Sequence, residues 1–481
     1  MPTEDRSLEL SPGDFRRLID GAARRAVDHV ASLPEQPSAD VEGGVELARS
    51  LVEPLPETGR PAEELLDLLF DRVIPKSFNT AGPGYVAYIP GGGLPHSAVA
   101  DFIADATNRY VGVFAAAPGL AQIETNVVRW LADILGYPEG ARGILTTGGS
   151  LATFSAVVAA RRDRLPENFL SGMLYTSDQG HHAIEKAALL AGFPAANVRR
   201  IASDERFRIR LDALESAIGE DRAAGRTPFF VVGNAGTTNT GAVDDLAALA
   251  ALCERDRLWF HVDGAYGGFF RLTVEGRRRM AGIERSDSAV LDPHKGLFLP
   301  YGTGALLVRD GEKLKRAHAL TAEYLPSMQE APDLVDFNLL SPELSRDFRG
   351  LRVWLPLKMH GIGPFRTNLE EKLDLTRLAA RGLAEIPGME ILAEPQLSIV
   401  AFRLAAEGRE GADLDELNRD LLARVNGRQR VYLTGTMLRG RFAIRICILS
   451  FRTHRDRIEM ALEDIRAAAA DIRGSGEDEH G

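Results

Sequence analysis

The sequence predicts an α/β protein built on a mainly parallel sheet, followed by a smaller α+β portion. Three observations carry this. From about Gly84, short apolar runs end in Gly, Asp or Ser and alternate with helix-like stretches. The runs hold few polar residues, as strands buried on both faces do. Near residue 355 the pattern changes to two strand-like runs and two amphipathic segments.

The first element is a helix with a clear start. Ser11-Pro12-Gly13-Asp14 offers a cap, a first-turn proline and an acid at the third helical position, before an amphipathic run to about Ser32. Pro/Glu-rich loops at 35–39 and 54–61 frame a second amphipathic segment, Glu63 to Val73. Two such helices cannot bury their apolar faces alone, so residues 1–80 read as an accessory arm. Strands are then expected at Gly143–Gly149, Met173–Asp178, Phe229–Asn234, Leu258–Asp263, Ala289–Asp292 and Ala305–Val308. Helices are expected at Ala152–Arg162, Ile184–Ala191 and Asp244–Glu254. In such sheets ligands sit beyond the C-terminal strand ends. Residues 81–355 therefore form the expected large domain. Residues 356–473 form the small one, with strands at Ser398–Leu404 and Ala443–Leu449 and helices at Asp413–Val425 and Thr453–Ile472. Thr453 and Asp456 read as a capping box, and the acidic stretch 474–481 reads as a disordered tail.

Composition sets outer limits. At 481 residues, two to three units of about 150 residues are expected. The net charge of −11 argues against a general nucleic-acid binder. Two cysteines, Cys253 and Cys447, do not make a disulfide framework or zinc finger and fit a reducing cytoplasm. The N-terminal residues lack an apolar leader, and no run approaches a membrane span. The expectation is an acidic cytoplasmic enzyme with no membrane or nucleic-acid partner.

Four segments carry chemistry. Lys295 closes Ser288-Ala-Val-Leu-Asp-Pro-His-Lys295, beside Asp292 and His294. A desolvated amine there is a usable nucleophile, although a strand-end lysine can also simply reach solvent. Asp263, in His261-Val-Asp263-Gly-Ala265, can pair with a cation, bind a metal or cap a helix. Thr146-Thr-Gly-Gly149-Ser150 is a glycine turn between strand and helix, a seat for phosphate or carboxylate. His181 stands between a strand and a helix, where a solvated or capping histidine is common. Together they suit pyridoxal 5'-phosphate, which needs a lysine for its aldehyde, an acid for its ring nitrogen, donors for its phosphate and a flat group over the ring.

In order and spacing these residues resemble the fold-type I, group II pyridoxal phosphate-dependent amino-acid decarboxylases, most of all the aromatic-L-amino-acid decarboxylases. The likeness extends from the arm through Pro83-Gly-Tyr-Val-Ala-Tyr-Ile-Pro90 and Gln122-Ile-Glu124 to Arg441-Phe-Ala-Ile-Arg-Ile-Cys447. The resemblance implies Lys295 as the aldimine lysine, Asp263 at the ring nitrogen and His181 stacked on the ring. It implies Gly149 and Ser150 at the phosphate, with Thr238, Ala265, Asp292 and His294 around the cofactor. Tyr324 would be the mobile-loop phenol that protonates Cα after CO2 leaves, where related aldehyde synthases carry Phe. Tyr88, Ile89 and Phe114 would form an apolar substrate wall. A homodimer with active sites at the interface is implied, the arm wrapping the other subunit. No metal is implied.

Departures accompany the match. Asp292 stands where the family usually has Asn, and an acid beside a phosphate is unfavourable unless compensated. Gly296 replaces a bulky residue, and Ile89 and Gly91 stand where Phe and Thr are more frequent. Arg109 and Arg346 read as acid-binding groups or as surface or dimer contacts. Other Cα chemistry (an aldehyde synthase or an aminotransferase) and a non-aromatic substrate remain alternatives. A serine hydrolase is a remote one: Gly148-Gly-Ser150-Leu-Ala152 nearly fits a nucleophile elbow but leaves Lys295, His181 and Tyr324 without roles. A zinc enzyme lacks H-E-x-x-H, and a nicotinamide enzyme lacks G-x-G-x-x-G.

Overall fold

A computed structural model describes residues 8–319, 334–406 and 408–478. Seven strands form the large sheet: β1 (Arg142–Thr146), β2 (Gly172–Ser177), β3 (Val198–Ile201), β4 (Thr227–Asn234), β5 (Trp259–Asp263), β6 (Ser288–Leu291) and β7 (Gly304–Val308). Their order is β1-β7-β6-β5-β4-β2-β3, and only β7 runs against its neighbours. Every residue of β2, β6 and β7 is buried, and these strands accordingly carry no charged residue. Trp259, Phe230 and Phe260 fill the centre of the core.

The edge strand β3 was not expected from the sequence. Its two arginines disguise it: Arg199 pairs with Glu220 and Asp221, and Arg200 with Glu185. Charged residues on an exposed edge also discourage pairing with foreign strands.

The first helix spans Pro12–Ser32, with the Ser11 hydroxyl accepting from the Asp14 N–H, as the capping pattern requires. The second segment is α-helical over Ala62–Asp67 and π-helical over Leu68–Val73. Arg25 joins the two through Glu63 and Asp67. The third expected central helix begins at Leu246, one residue after its Asp245 cap.

A second sheet, ordered β10-β11-β9-β8, is antiparallel and comprises β8 (Met389–Ala393), β9 (Ile399–Leu404), β10 (Thr434–Leu438) and β11 (Arg441–Cys447). Helices Gly363–Ala384, Gly411–Gly427 and Arg455–Asp478 give it a core of its own. The boundary expected at 355 falls inside the Gly350–His360 helix. Gly84 and Val86 hydrogen-bond to Tyr432 and Cys447, sewing an early segment to this late sheet. Thr453 does not cap the last helix; its hydroxyl donates to the Pro83 carbonyl at 2.8 Å. That helix reaches Asp478, so 474–478 continue it instead of forming the expected tail. Once nucleated, each added helical residue gains a backbone bond.

Candidate active site

The strands deliver the site. Asn234 and Asp263 face each other in register at the ends of β4 and β5, and Asp263 pairs with Val290 of β6. Just past β6, the chain turns through Pro293–Gly296 and presents Lys295. At the end of β1, Thr147 and Gly148 lead into the Gly149–Arg164 helix, whose first turn no side chain caps. Its free N–H groups and the helix dipole favour an anion.

One cavity of about 300 Å³ is lined by Gly149, Ser150, His181, Thr238, Asp263, Ala265, Asp292, His294 and Lys295. It therefore gathers every residue assigned from sequence to the cofactor. The volume is at the small end for ligand sites, which run from about 300 to 1,000 Å³. Tyr88, Ile89 and Phe114 are not in this lining. Ile89 packs into the main core and Phe114 is half-buried, while Tyr88 is exposed at a positive φ of 47°. An apolar residue next to a strand-like segment is drawn into the core unless the cavity competes for it, and here the core takes Ile89. Tyr324 lies outside the described residues.

Polar contacts fix the orientation of the lining groups. Lys295 Nζ is 2.8 Å from Asp292 Oδ2, and the carboxylate is 2% exposed. His294 Nδ1 donates to the Thr303 carbonyl at 2.6 Å, leaving Nε2 3.7 Å from Asp292 Oδ2. His181 Nδ1 accepts from the Ala183 N–H at 3.2 Å, so a proton on the neutral ring sits on Nε2. Burial pushes both histidines below their usual range; at His181 the charge of Asp263 pulls the other way. Asp263 Oδ1 accepts from the Ala265 N–H at 3.2 Å. The Gly296 departure has a steric cause, since a Cβ there would lie 2.6 Å from Cβ of the fully buried Phe269.

Several contributors were not singled out from sequence. Asn234 lines the cavity, and its amide donates to Asp244 and to Ser177. Asp244 is wholly buried, and burial raises its carboxyl to about 6 against the pull of hydrogen bonds from Asn234 and Ile209. Arg445 of β11, 4% exposed, donates to the Thr238 carbonyl at 2.6 Å, the Tyr88 carbonyl at 3.1 Å and Thr434 Oγ1 at 3.2 Å. It lies within the Arg441–Cys447 run, but alternation along a strand says nothing of such distant partners. Arg346 is neither a surface group nor free to bind an acid, because it is paired with buried Glu124. Arg109 is exposed.

The residues present fit pyridoxal phosphate. A lysine amine and a strand-end carboxylate share a cavity with an uncapped helix N-terminus, and Asp292 Oδ1 is buried there without a hydrogen-bond partner. Fold and site thus define a class, the α/β enzymes that work through this cofactor. Residues 47–405 match the pyridoxal-dependent decarboxylase conserved domain, and the chain belongs to that family. It is 34% identical to an aromatic-L-amino-acid decarboxylase of Bacillus atrophaeus, over 97% of this chain and 98% of the relative. It is 28% identical to a phenylacetaldehyde synthase of Arabidopsis thaliana, over 86% and 88% of the two chains. The crystal structure of Oryza sativa TDC with PLP and tryptamine superposes with a TM-score of 0.91 at 25% identity, covering 97% of this chain and 99% of that one. The protein is accordingly a pyridoxal phosphate-dependent decarboxylase. Among the described residues, no helix is long and apolar enough to cross a membrane.

Proposed function

We propose that the chain converts an aromatic L-amino acid to its amine and CO2. The observation that carries this is the convergence of Lys295, Asp263 and the Gly149–Ser150 turn on one cavity at the ends of neighbouring strands. Bound pyridoxal phosphate supplies an electron sink for the pair left at Cα when CO2 departs. Lys295 provides the amine that holds the aldehyde carbon, and Gly149 and Ser150 hold the phosphate through first-turn donors. Asp263 keeps a proton at the ring nitrogen, His181 covers one ring face, and Thr238, Ala265 and His294 bound the remaining sides. Tyr324 delivers the proton that replaces CO2 at Cα and regains one from water.

The aromatic substrate is supported by the decarboxylase relative and by the apolar side chains of Tyr88 and Phe114. The Tyr88 carbonyl shares Arg445 with Thr238, which lines the cavity. A homodimer in the cytoplasm completes the reading. Phe15, Leu18, Val27, Leu65 and Leu69 of the arm are exposed in the single chain, as are Val99, Phe102 and Ile103. So much exposed apolar surface favours a partner, and sedimentation should give twice 52.3 kDa.

The deciding experiment supplies the full-length, cofactor-loaded enzyme with Phe, Tyr, Trp and Dopa, and in parallel with Leu and Glu, and measures CO2 and amine. Equal release of both is expected, with Tyr324→Phe lowering amine and raising aldehyde. Aldehyde and peroxide from the unmodified enzyme would instead establish the aldehyde-synthase reading. Turnover confined to amino acids without a ring would overturn the aromatic substrate.

A further inference from the structure

Asp292 is an acid in a place that a dianion is to occupy. A Cβ built on Gly149 would lie 3.1 Å from Asp292 Oδ2 and 3.3 Å from Oδ1, so the carboxylate lies directly against the first residue of the Gly149–Arg164 helix. Oδ2 holds Lys295 Nζ at 2.8 Å, while Oδ1 is buried without a partner among the described residues. His294 faces the group from the same turn, His181 from the segment after β2, and Asp263 from β5. Burial disfavours charge on both histidines, so among the described residues Lys295 is the cation that faces Asp292 closely. That cation is lost when its nitrogen gives up a proton to attack an aldehyde. An ionised Asp292 would then confront the phosphate without compensation, and like charges in a buried site favour protonation of one of them.

We propose that Asp292 accepts the proton shed by the Lys295 ammonium and retains it while the cofactor is seated, donating as a neutral carboxyl to the phosphate. This rests on the cofactor placement given under the proposed function. In the transfer a nitrogen–hydrogen bond breaks at Lys295 and an oxygen–hydrogen bond forms at Asp292. The pair passes from ammonium and carboxylate to amine and acid, with no proton gained or lost. The freed amine then bonds to the aldehyde carbon, whose oxygen leaves as water. Asn, which the resembling family usually carries here, donates without needing a proton. Asp292 would therefore make cofactor loading proton-conserving in this chain.

The test counts protons by calorimetric titration of the full-length apoenzyme, in buffers of different ionisation enthalpy near pH 8. Pyridoxal phosphate is compared with pyridoxal, which lacks the phosphate. At that pH the phosphate is already a dianion, its second pKa being about 6. The wild-type chain should release about one proton fewer with pyridoxal phosphate than with pyridoxal. Asp292→Asn should release equal numbers with both. Equal numbers in the wild type would overturn the inference, whether or not the variant folds, and leave the cofactor placement intact. If neither ligand gives a visible absorbance that disappears in Lys295→Ala, the placement itself is wrong and the inference falls with it.

Discussion

Arg346 Nη1 lies 2.5 Å from Glu124 Oε1, and both side chains are completely removed from solvent. Glu124 Oε2 also accepts from the Gly350 N–H at 3.1 Å, and Arg346 Nη2 donates to the Leu145 carbonyl at 3.2 Å. The pair thus joins the Pro118–Leu135 helix and the Gly350–His360 helix to β1, just before the glycine turn. Breaking one member of such a pair strands a buried charge and costs about 3–5 kcal/mol. Arg346→Met should lower the denaturant midpoint accordingly and weaken pyridoxal phosphate binding. Arg346→Met with Glu124→Leu should recover much of the stability. A single variant as stable as the parent would show the pair to be idle.

Asp244 gives a pH signature. Its carboxyl is raised from 3.8 to about 6 chiefly by burial, so the native state binds this proton more tightly than the unfolded chain. Its contribution is therefore largest in acid and declines as pH rises from 3.8 to about 6, by on the order of 3 kcal/mol. Asp244→Asn should remove that slope while costing about 1–3 kcal/mol, because three N–H donors now meet an amide with one acceptor oxygen. Unfolding midpoints from pH 4 to 7, taken as wild type minus variant, read both effects. A difference that stays constant with pH would exclude Asp244 as the titrating group.

The glycine after Lys295 makes a steric prediction. A methyl at Gly296 would meet Phe269 at Cβ, Cδ2 and Cγ, at 2.6, 2.9 and 3.0 Å. The first of these atoms is attached to backbone and cannot swing aside. Overpacking of this kind costs about 1–3 kcal/mol. Gly296→Ala should lower thermal stability and, by moving the adjacent lysine, reduce the rate at which borohydride-reducible pyridoxal phosphate is taken up. An unchanged uptake rate would mean that the turn yields elsewhere.

These sites mark how far the sequence could be read. β2, β6 and β7 are legible because burial on both faces leaves no charged residue in them, whereas Arg199 and Arg200 hide β3 at an edge. Lys295, Asp263 and Gly149 stand out because charge or a glycine turn ends an apolar run, where the ends of parallel strands converge. Glu124 with Arg346 and Thr453 with Pro83 are invisible for the opposite reason. Each has a function only through a partner more than 200 residues away, and neither spacing nor periodicity encodes that distance. Thr453 shows the hazard: its spacing from Asp456 fits a cap, but the helix begins only at Arg455, and the Thr453 hydroxyl is turned to the Pro83 carbonyl. Ile89 poses a related difficulty, because apolar character does not distinguish a substrate wall from the core that this side chain packs into.

Arg445 connects the small sheet to the cavity and makes the last prediction. Its guanidinium supplies the carbonyls of Tyr88 and Thr238 from β11, so the cavity wall depends on a residue of the C-terminal sheet. Arg445→Met keeps much of the side chain's volume but leaves both carbonyls and Thr434 Oγ1 without this donor. An unsatisfied acceptor costs up to about 1–3 kcal/mol, less where it is only partly buried as these are, and every 1.4 kcal/mol that reaches binding is about tenfold in affinity. Pyridoxal phosphate should therefore bind up to about tenfold more weakly. Pyridoxal should lose the same factor, because Thr238 belongs to the wall and not to the Gly149–Ser150 turn. Arg445→Lys should recover only part of the loss, since one ammonium cannot reproduce the fork that spans three acceptors. A loss seen with pyridoxal phosphate but absent with pyridoxal would relocate the action of Arg445 from Thr238 to the phosphate seat.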